Sequence, residues 1–202
     1  SDDELVRRWK AGDRGAARGF IERPHSAVMR FFFNKTDEAS QQDLVQQTFL
    51  GFVNGLGRLA EGASVRSYLF GVAYRLLCRH YEARRVDRER PALAVAAPPS
   101  IPSPSREIAQ REELRLLLRA LRELPVDYQV PLELHYWEAM TTTDIAEVLG
   151  IPSGTVKSRL RRGRELLATA LAALAGTPEL LESTLGGLER WARCVREGLP
   201  VT

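Results

Sequence analysis

The sequence predicts an all-α protein: two small helical domains joined by a proline-rich linker, followed by one C-terminal helix. Three observations carry this. Apolar residues recur at spacings of three and four along most of the chain. No stretch alternates apolar and polar residues as a half-buried strand does, and no hairpin dipeptide stands between such stretches. Finally, "PALAVAAPPSIPSPS" (residues 91–105) breaks the pattern with prolines that favour extended backbone and cannot sustain a helix. The expected divisions are residues 1–90, a linker at 91–106, a second domain at 107–175 and an extension at 176–202.

The opening "SDDE" offers Ser1 or Asp2 as an N-cap, with Glu4 placed for a capping box. A helix is expected over about residues 43–56, where Leu44, Val45, Thr48, Phe49, Phe52, Val53 and Leu56 form one stripe. Asp43, Gln46, Gln47, Leu50 and Asn54 fall on its other face. After the turn-like "GRLAEGAS", the stretch "VRSYLFGVAYRLLCRHYEARR" predicts a helix that becomes basic at its end. Beyond the linker, "REELRLLLRALREL" stops at Pro125, and "VDYQVPLELHYWEAM" follows with Pro131 inside it, where a proline removes one helical hydrogen bond and bends the axis.

Next comes "TTTDIAEVLGIPSGTVKSRLRRGREL" (residues 141–166), two helices around a tight corner. Thr142 or Thr143 is the expected cap of the first helix, and Gly150 supplies the left-handed conformation that ends it. Ile151 and Pro152 turn the chain, and Ser153 is the expected cap of the second. Ile145, Ala146, Val148, Leu149, Ile151, Val156, Leu160 and Leu167 are placed to lock the pair against a third helix. Gly154, Thr155, Lys157, Ser158, Arg161 and Arg162 then face outward from the start of the second helix, where a helix-turn-helix enters the major groove. Arginine and lysine bond guanine edges or phosphates, and serine and threonine serve either.

In the tail, Thr177 is the expected N-cap, Pro178 the first helical residue, and Glu179 sits near the positive end. Leu181, Leu185, Leu188, Trp191 or Ala192, and Val195 recur at helical spacing until Gly198 and Pro200 close the segment. That face needs a surface. It either covers the back of the second domain or crosses to the first domain or the linker and holds a closed, inactive arrangement.

Composition narrows the function classes. The chain has 202 residues, 44% hydrophobic and 27% charged, and a formal net charge of +3, too small an excess to imply a polyanion by itself. No apolar run approaches the roughly 20 residues that span a bilayer, so no membrane insertion is expected. The first residues are charged and lack a signal-peptide core. Two cysteines, Cys78 and Cys194, are too few for a disulfide scaffold and fit a reducing cytoplasm, the expected localisation. The Cys78-x-His80 pair falls short of the three or four ligands zinc needs. No phosphate-cradling glycine loop or nucleophile motif occurs. No metal, cofactor or catalytic residue is therefore expected, and the chain is not expected to be an enzyme.

"LRELPVDYQVPLELHYWEAMTTTDIAEVLGIPSGTVKSRLRRGREL" resembles region 4 of the extracytoplasmic-function (ECF) sigma factors of bacterial RNA polymerase, most specifically in "IAEVLGIPSGTVKSRLRRGRE". The front half resembles region 2 independently: "DELVRRWKAGDRGAARGFI" its start, "QDLVQQTFLGFV" its polymerase-docking helix, and "VRSYLFGVAYRLLCRHYEARR" the helix that opens the promoter. The resemblance covers about residues 3–173. It implies a sigma factor that binds core RNA polymerase, through the clamp helices of the largest subunit and the flap, and directs it to promoter DNA. An inhibitory anti-sigma protein is a further partner that the resemblance allows.

Residue by residue, the resemblance implies clamp docking by Asp43, Leu44, Gln46, Gln47 and Leu50. It implies recognition of the −35 element by Thr155, Lys157, Ser158, Arg159, Arg161 and Arg162. For the −10 element it points to Arg58, Ser64, Val65, Arg66 and Ser67 around a flipped base, Tyr68 and Tyr74 for stacking, and Arg75, Arg79, Arg84 and Arg85 for phosphates. Three places depart from the family pattern. Gln41-Gln42-Asp43 replaces Ala-Glu-Asp, Tyr68-Leu69 replaces Trp-Leu, and Val72-Ala73-Tyr74-Arg75 replaces Ile-Ala-Arg-Asn. The alternative function is a stand-alone helix-turn-helix regulator, which would not need the front half.

Overall fold

The computed structural model describes residues 2–60, 62–88, 106–175 and 177–187. Among these the chain is helical, with no strand. In the N-terminal half, α1 (Asp2–Lys10), α2 (Arg14–Phe33), α3 (Glu38–Gly55) and α4 (Val65–Arg88) form one bundle, with a 3-10 turn at Leu56–Arg58 after α3. In the C-terminal half, α5 (Arg106–Arg122), α6 (Val126–Tyr136), α7 (Thr142–Leu149) and α8 (Ser153–Leu174) form a second, and α9 (Pro178–Gly186) follows. The expected linker prolines, Cys194 and about half of the expected tail helix lie outside the described residues.

Aromatic packing builds the first bundle. Phe20 of α2 and Phe52 of α3 stack with centroids 5.0 Å apart, and Trp9 of α1 lies 6.2 Å from Phe20 and 6.3 Å from Phe52. Phe31 meets Phe70 of α4 edge-on at 5.8 Å, so all four helices share the core. The second bundle is aliphatic, with Leu117, Leu121, Val130, Leu134, Ile145, Val156, Leu160 and Leu171 buried.

Several boundaries differ from the sequence expectation. Helix α3 starts five residues before Asp43, because Asp37 caps it by accepting from the Ser40 amide at 2.9 Å. Val53, assigned to the apolar stripe, is 40% exposed: it sits one step beyond Phe52, on the solvent side of the bundle. Helix α7 is capped by Thr141, not Thr142 or Thr143. Thr141 and Asp144 close a reciprocal capping box, with hydrogen bonds at 3.1 and 2.9 Å. Ser153 is the first residue of α8 rather than its cap; Pro152 holds the cap position with no side-chain hydrogen bond. Gly150 ends α7 at φ 65°, in the left-handed region expected of it. Thr177 caps α9 and Pro178 opens it as expected, but α9 ends at Gly186, with Gly187 as its C-cap. Helix α9 packs on α5 and α8, the back of the second bundle. Leu188, Trp191 and Val195 lie outside the described residues.

The halves are in contact. Helix α4 packs against α7, close enough that a Cβ on Gly71 would sit 3.7 Å from the Val148 carbonyl oxygen.

Candidate nucleic-acid and polymerase interface

The corner buries one face of α8 and leaves the other in solvent. Val156, Leu160, Gly163, Leu167 and Leu171 are buried along one face of it. Gly163 lets α6 approach: an added Cβ would lie 3.1 Å from Leu132 and 3.4 Å from the Tyr128 carbonyl. With that face fixed, Lys157, Ser158, Arg161 and Arg162 are exposed together on the other, and Thr155 and Arg159 are half-buried at its margin. Glu165 accepts from Arg161 at 2.8 Å and from Arg162 at 2.9 Å, which holds both guanidiniums on one side. Those two arginines hold the exposed Glu165 carboxyl below its usual range, Arg162 first by hydrogen bonding. Such surface pairs are weak and are exchanged readily for a phosphate or a base edge. Arg159 instead pairs with Asp127 of α6 at 3.1 Å. The Ser158 hydroxyl donates to the Thr155 carbonyl at 2.9 Å.

In the first half, α3 exposes Asp43, Gln46, Gln47 and Leu50, the last with 55% of its surface in solvent. Leu44 is different: it is buried in the core, as its place on the apolar stripe also implied. Gln41, which the sequence reading left unassigned, is buried too, and its amide donates to the Met29 carbonyl at 2.9 Å.

A groove of about 360 Å³ runs between α3 and α4, lined by Gln47, Leu50, Tyr68, Arg75 and Arg79 among others. The structure thus brings two of the docking candidates beside three of the −10 candidates. A second groove of about 250 Å³ continues it past Asp43, Arg79 and His80. Burial pulls the His80 pKa below its ordinary value, so the ring is neutral near pH 7, and its Nε2 has no hydrogen-bond partner. Tyr68 lies over Gly55 and 5.7 Å from Phe52, so one of its faces belongs to the core while its edge lines the groove.

The remaining −10 candidates are spread out. Arg58 is exposed on the 3-10 turn. The Ser64 hydroxyl accepts from the Ser67 amide at 3.1 Å and so serves the start of α4. Ser67 is 3% exposed and its hydroxyl has no partner, so this arrangement withholds it from any base. Tyr74 is half-buried, and burial with the neighbouring Cys78 pushes its phenol up to about 12. Arg66 donates to Glu138 at 2.7 Å across the seam between the halves. Among the described residues no cluster of side chains is suited to a metal ion, and no helix is long and apolar enough to cross a membrane.

Comparison with known proteins agrees with this geometry. The family profile for sigma-70 region 4 matches residues 114–167, which span α6 and α7 and parts of α5 and α8. The ECF RNA polymerase sigma factor SigC of Mycobacterium tuberculosis is 30% identical over 172 residues, covering 83% of this chain and 91% of that protein. In fold, the chain is similar to CnrH in complex with the cytosolic domain of CnrY, with a TM-score of 0.66 at 22% identity, over 86% of this chain and 99% of that one. It is also similar to the sigma factor RpoE of Bartonella quintana in complex with the anti-sigma factor NepR, with a TM-score of 0.59 at 21% identity, over 77% and 96%. A helix-turn-helix with an outward basic face in the second bundle, an exposed polar face on α3 of the first, and a relative 30% identical that aligns across both halves lead to one conclusion: the chain belongs to the extracytoplasmic-function sigma factors of RNA polymerase.

Proposed function

We propose that this sigma factor divides promoter recognition between its two bundles. Residues 107–175 act as region 4, and Thr155, Lys157, Ser158, Arg159, Arg161 and Arg162 read the −35 element. Residues 1–90 act as region 2, with Asp43, Gln46, Gln47 and Leu50 on the clamp helices of core polymerase. Arg58 and Ser64 ahead of α4, with Arg66, Ser67, Tyr68, Tyr74, Arg75 and Arg79 of α4, capture and open the −10 element. The observation that carries this is the exposed set Lys157, Ser158, Arg161 and Arg162 at the start of α8, with its opposite face locked in the core. The shared groove between α3 and α4 supports the second part, because polymerase docking and strand capture there would occur side by side. The chemistry is binding rather than bond-making, and its place of action is the cytoplasm, where polymerase works. A structural relative held by an anti-sigma factor supports such a partner here as well.

The test is quantitative binding of −35 duplexes in the presence of core polymerase. Arg161→Ala or Arg162→Ala at a base edge should cost about 1–3 kcal/mol and relax specificity at one position. A phosphate contact would instead weaken all sequences alike and lower the salt slope by about 1. If neither substitution alters affinity or −35 preference, the assignment of α8 is wrong.

A further inference from the structure

Helix α1 ends on a fixed platform. Trp9 is seated against Phe20 and Phe52, and Arg8 grips the Asp13 carboxylate with two hydrogen bonds at 3.0 and 2.6 Å. Asp13 in turn caps α2, accepting from the Gly15 and Ala16 amides at 2.9 and 3.0 Å. Gly12, at φ 97°, lets the chain double back between the two helices, with its amide bonded to the Trp9 carbonyl at 2.9 Å. Lys10, the last residue of α1, stands between these anchors.

A lysine at a helix C-terminus ordinarily answers the free carbonyls of its own helix. Lys10 leaves its helix. Its ammonium donates to the Leu59 carbonyl at 3.0 Å, 49 residues further along the chain. Leu59 is where the 3-10 turn ends: its backbone is extended (φ −67°, ψ 116°) and its amide bonds to the Leu56 carbonyl at 3.2 Å. Past it the Ala63 amide bonds to the Ala60 carbonyl at 3.2 Å, and the chain reaches Ser64, whose hydroxyl serves the start of α4. The segment ahead of α4 is thus tied to α4 at one end and to Lys10 at the other. Arg58 and Ser64, the two −10 candidates ahead of α4, flank it.

We propose that Lys10 is a positioning residue for −10 recognition. Through the Leu59 carbonyl it sets the direction in which the chain leaves the 3-10 turn, and so where Arg58 and Ser64 stand when a strand arrives. Leu56 and Val65, on either side of the segment, are buried in the core, and the bond itself is exposed. Losing it should therefore leave the fold standing and loosen only the segment between them. A lysine that touched a phosphate itself would act through charge, whereas one that acts through Leu59 acts through shape, and salt separates the two. This proposal rests on the assignment of Arg58 and Ser64 to the −10 element.

Lys10→Met keeps the stem and loses the donor, and Lys10→Arg keeps a cationic donor. Holoenzyme formed from the full chain and core polymerase is titrated with three DNAs: a fork carrying the −10 strand found at mapped starts, the same fork with its −10 bases altered, and a duplex that ends upstream of −10. Lys10→Met should weaken the cognate fork about two- to ten-fold and narrow its lead over the altered fork. Binding of the upstream duplex and the salt slope should not change, and Lys10→Arg should restore the cognate fork. In the free chain, hydrogen exchange at the Leu59 and Ala63 amides should quicken in Lys10→Met and return in Lys10→Arg, with the melting temperature nearly unchanged. Unchanged exchange would overturn the clasp. Faster exchange with unchanged fork binding, or a loss shared equally by all three DNAs, would overturn the positioning role. A salt slope lowered by about 1 would overturn it too, by placing Lys10 on a phosphate. If the parent holoenzyme does not tell the two forks apart, the −10 assignment fails and the positioning role with it, while the exchange rates still decide the clasp.

Discussion

Lys35 and Glu133 form the most deeply enclosed charge pair at the seam, and replacing one of them tests what holds the halves together. Lys35→Met leaves a carboxylate that is 3% exposed with one remaining partner, the Gln129 amide. Breaking a buried pair from one side costs about 3–5 kcal/mol, because the remaining charge has lost its compensation. Burial already pushes the Glu133 pKa up and the Lys35 pKa down, so either survivor can shed its charge by proton transfer with solvent. That escape places the expected loss at the lower end, about 3 kcal/mol. Glu133→Leu should cost a similar amount, whereas Lys35→Met with Glu133→Leu removes both charges and should return to within about 1 kcal/mol of the parent. The assay is urea unfolding of the four proteins by circular dichroism, with inter-bundle energy transfer followed in parallel. The cycle should give a coupling energy of at least about 2 kcal/mol. Losses that add to within about 0.5 kcal/mol would show that the two residues do not act as a pair and would refute the reasoning.

Asp37 caps α3, and the Ser40 amide, helped by Arg84, draws its pKa down to about 2 from 3.8. A depressed folded pKa means its contribution is complete above about pH 4 and is lost as pH falls towards 2. Because the group is partly exposed, Asp37→Ala should cost only about 1 kcal/mol at pH 7, and thermal melts should show the gap narrowing between pH 5 and pH 2. Gly150→Val forces a branched side chain to φ 65°, so it should cost at least about 1–2 kcal/mol and weaken −35 binding in a mobility-shift titration. Gln46→Glu with Leu50→Glu should leave the melting temperature nearly unchanged, since both are exposed, yet abolish co-purification with core polymerase. Deleting residues 177–202 uncovers α5 and α8, so it should lower the stability of the second bundle while leaving inter-bundle energy transfer unchanged.

The parts legible in the sequence were those whose signals are local. The α7–α8 corner could be placed because Gly150, Pro152 and the apolar positions around them lie within two dozen residues of one another. Even there the cap moved, because Thr141, Thr142 and Thr143 are adjacent, and only Thr141 stands three residues before Asp144. The exposed face of α3 followed from periodicity, which also put Leu44 in the core; Val53 sits at the margin of the stripe, where spacing alone does not decide which side is buried. The seam left no such trace. Arg30 and Glu138 are 108 residues apart and Lys35 and Glu133 are 98 apart, so no periodic pattern links them. Ala139 gave no warning either, since alanine is an ordinary helix former and its left-handed conformation is imposed by what surrounds it. Arg30, Lys35 and Arg66 of the first half and Glu133 and Glu138 of the second carry no local signal of one another; only packing showed that they face each other.

The central claim, that this chain directs polymerase to promoters, is tested most directly by run-off transcription. Purified core polymerase is supplied with genomic fragments, with and without the protein, and the start sites are mapped. The account predicts discrete transcripts only when the protein is present, from starts sharing upstream −35 and −10 elements, and their loss with Arg161→Ala and Arg162→Ala combined. Binding to the same fragments without any sigma-dependent transcript would contradict it and identify a stand-alone DNA-binding regulator instead.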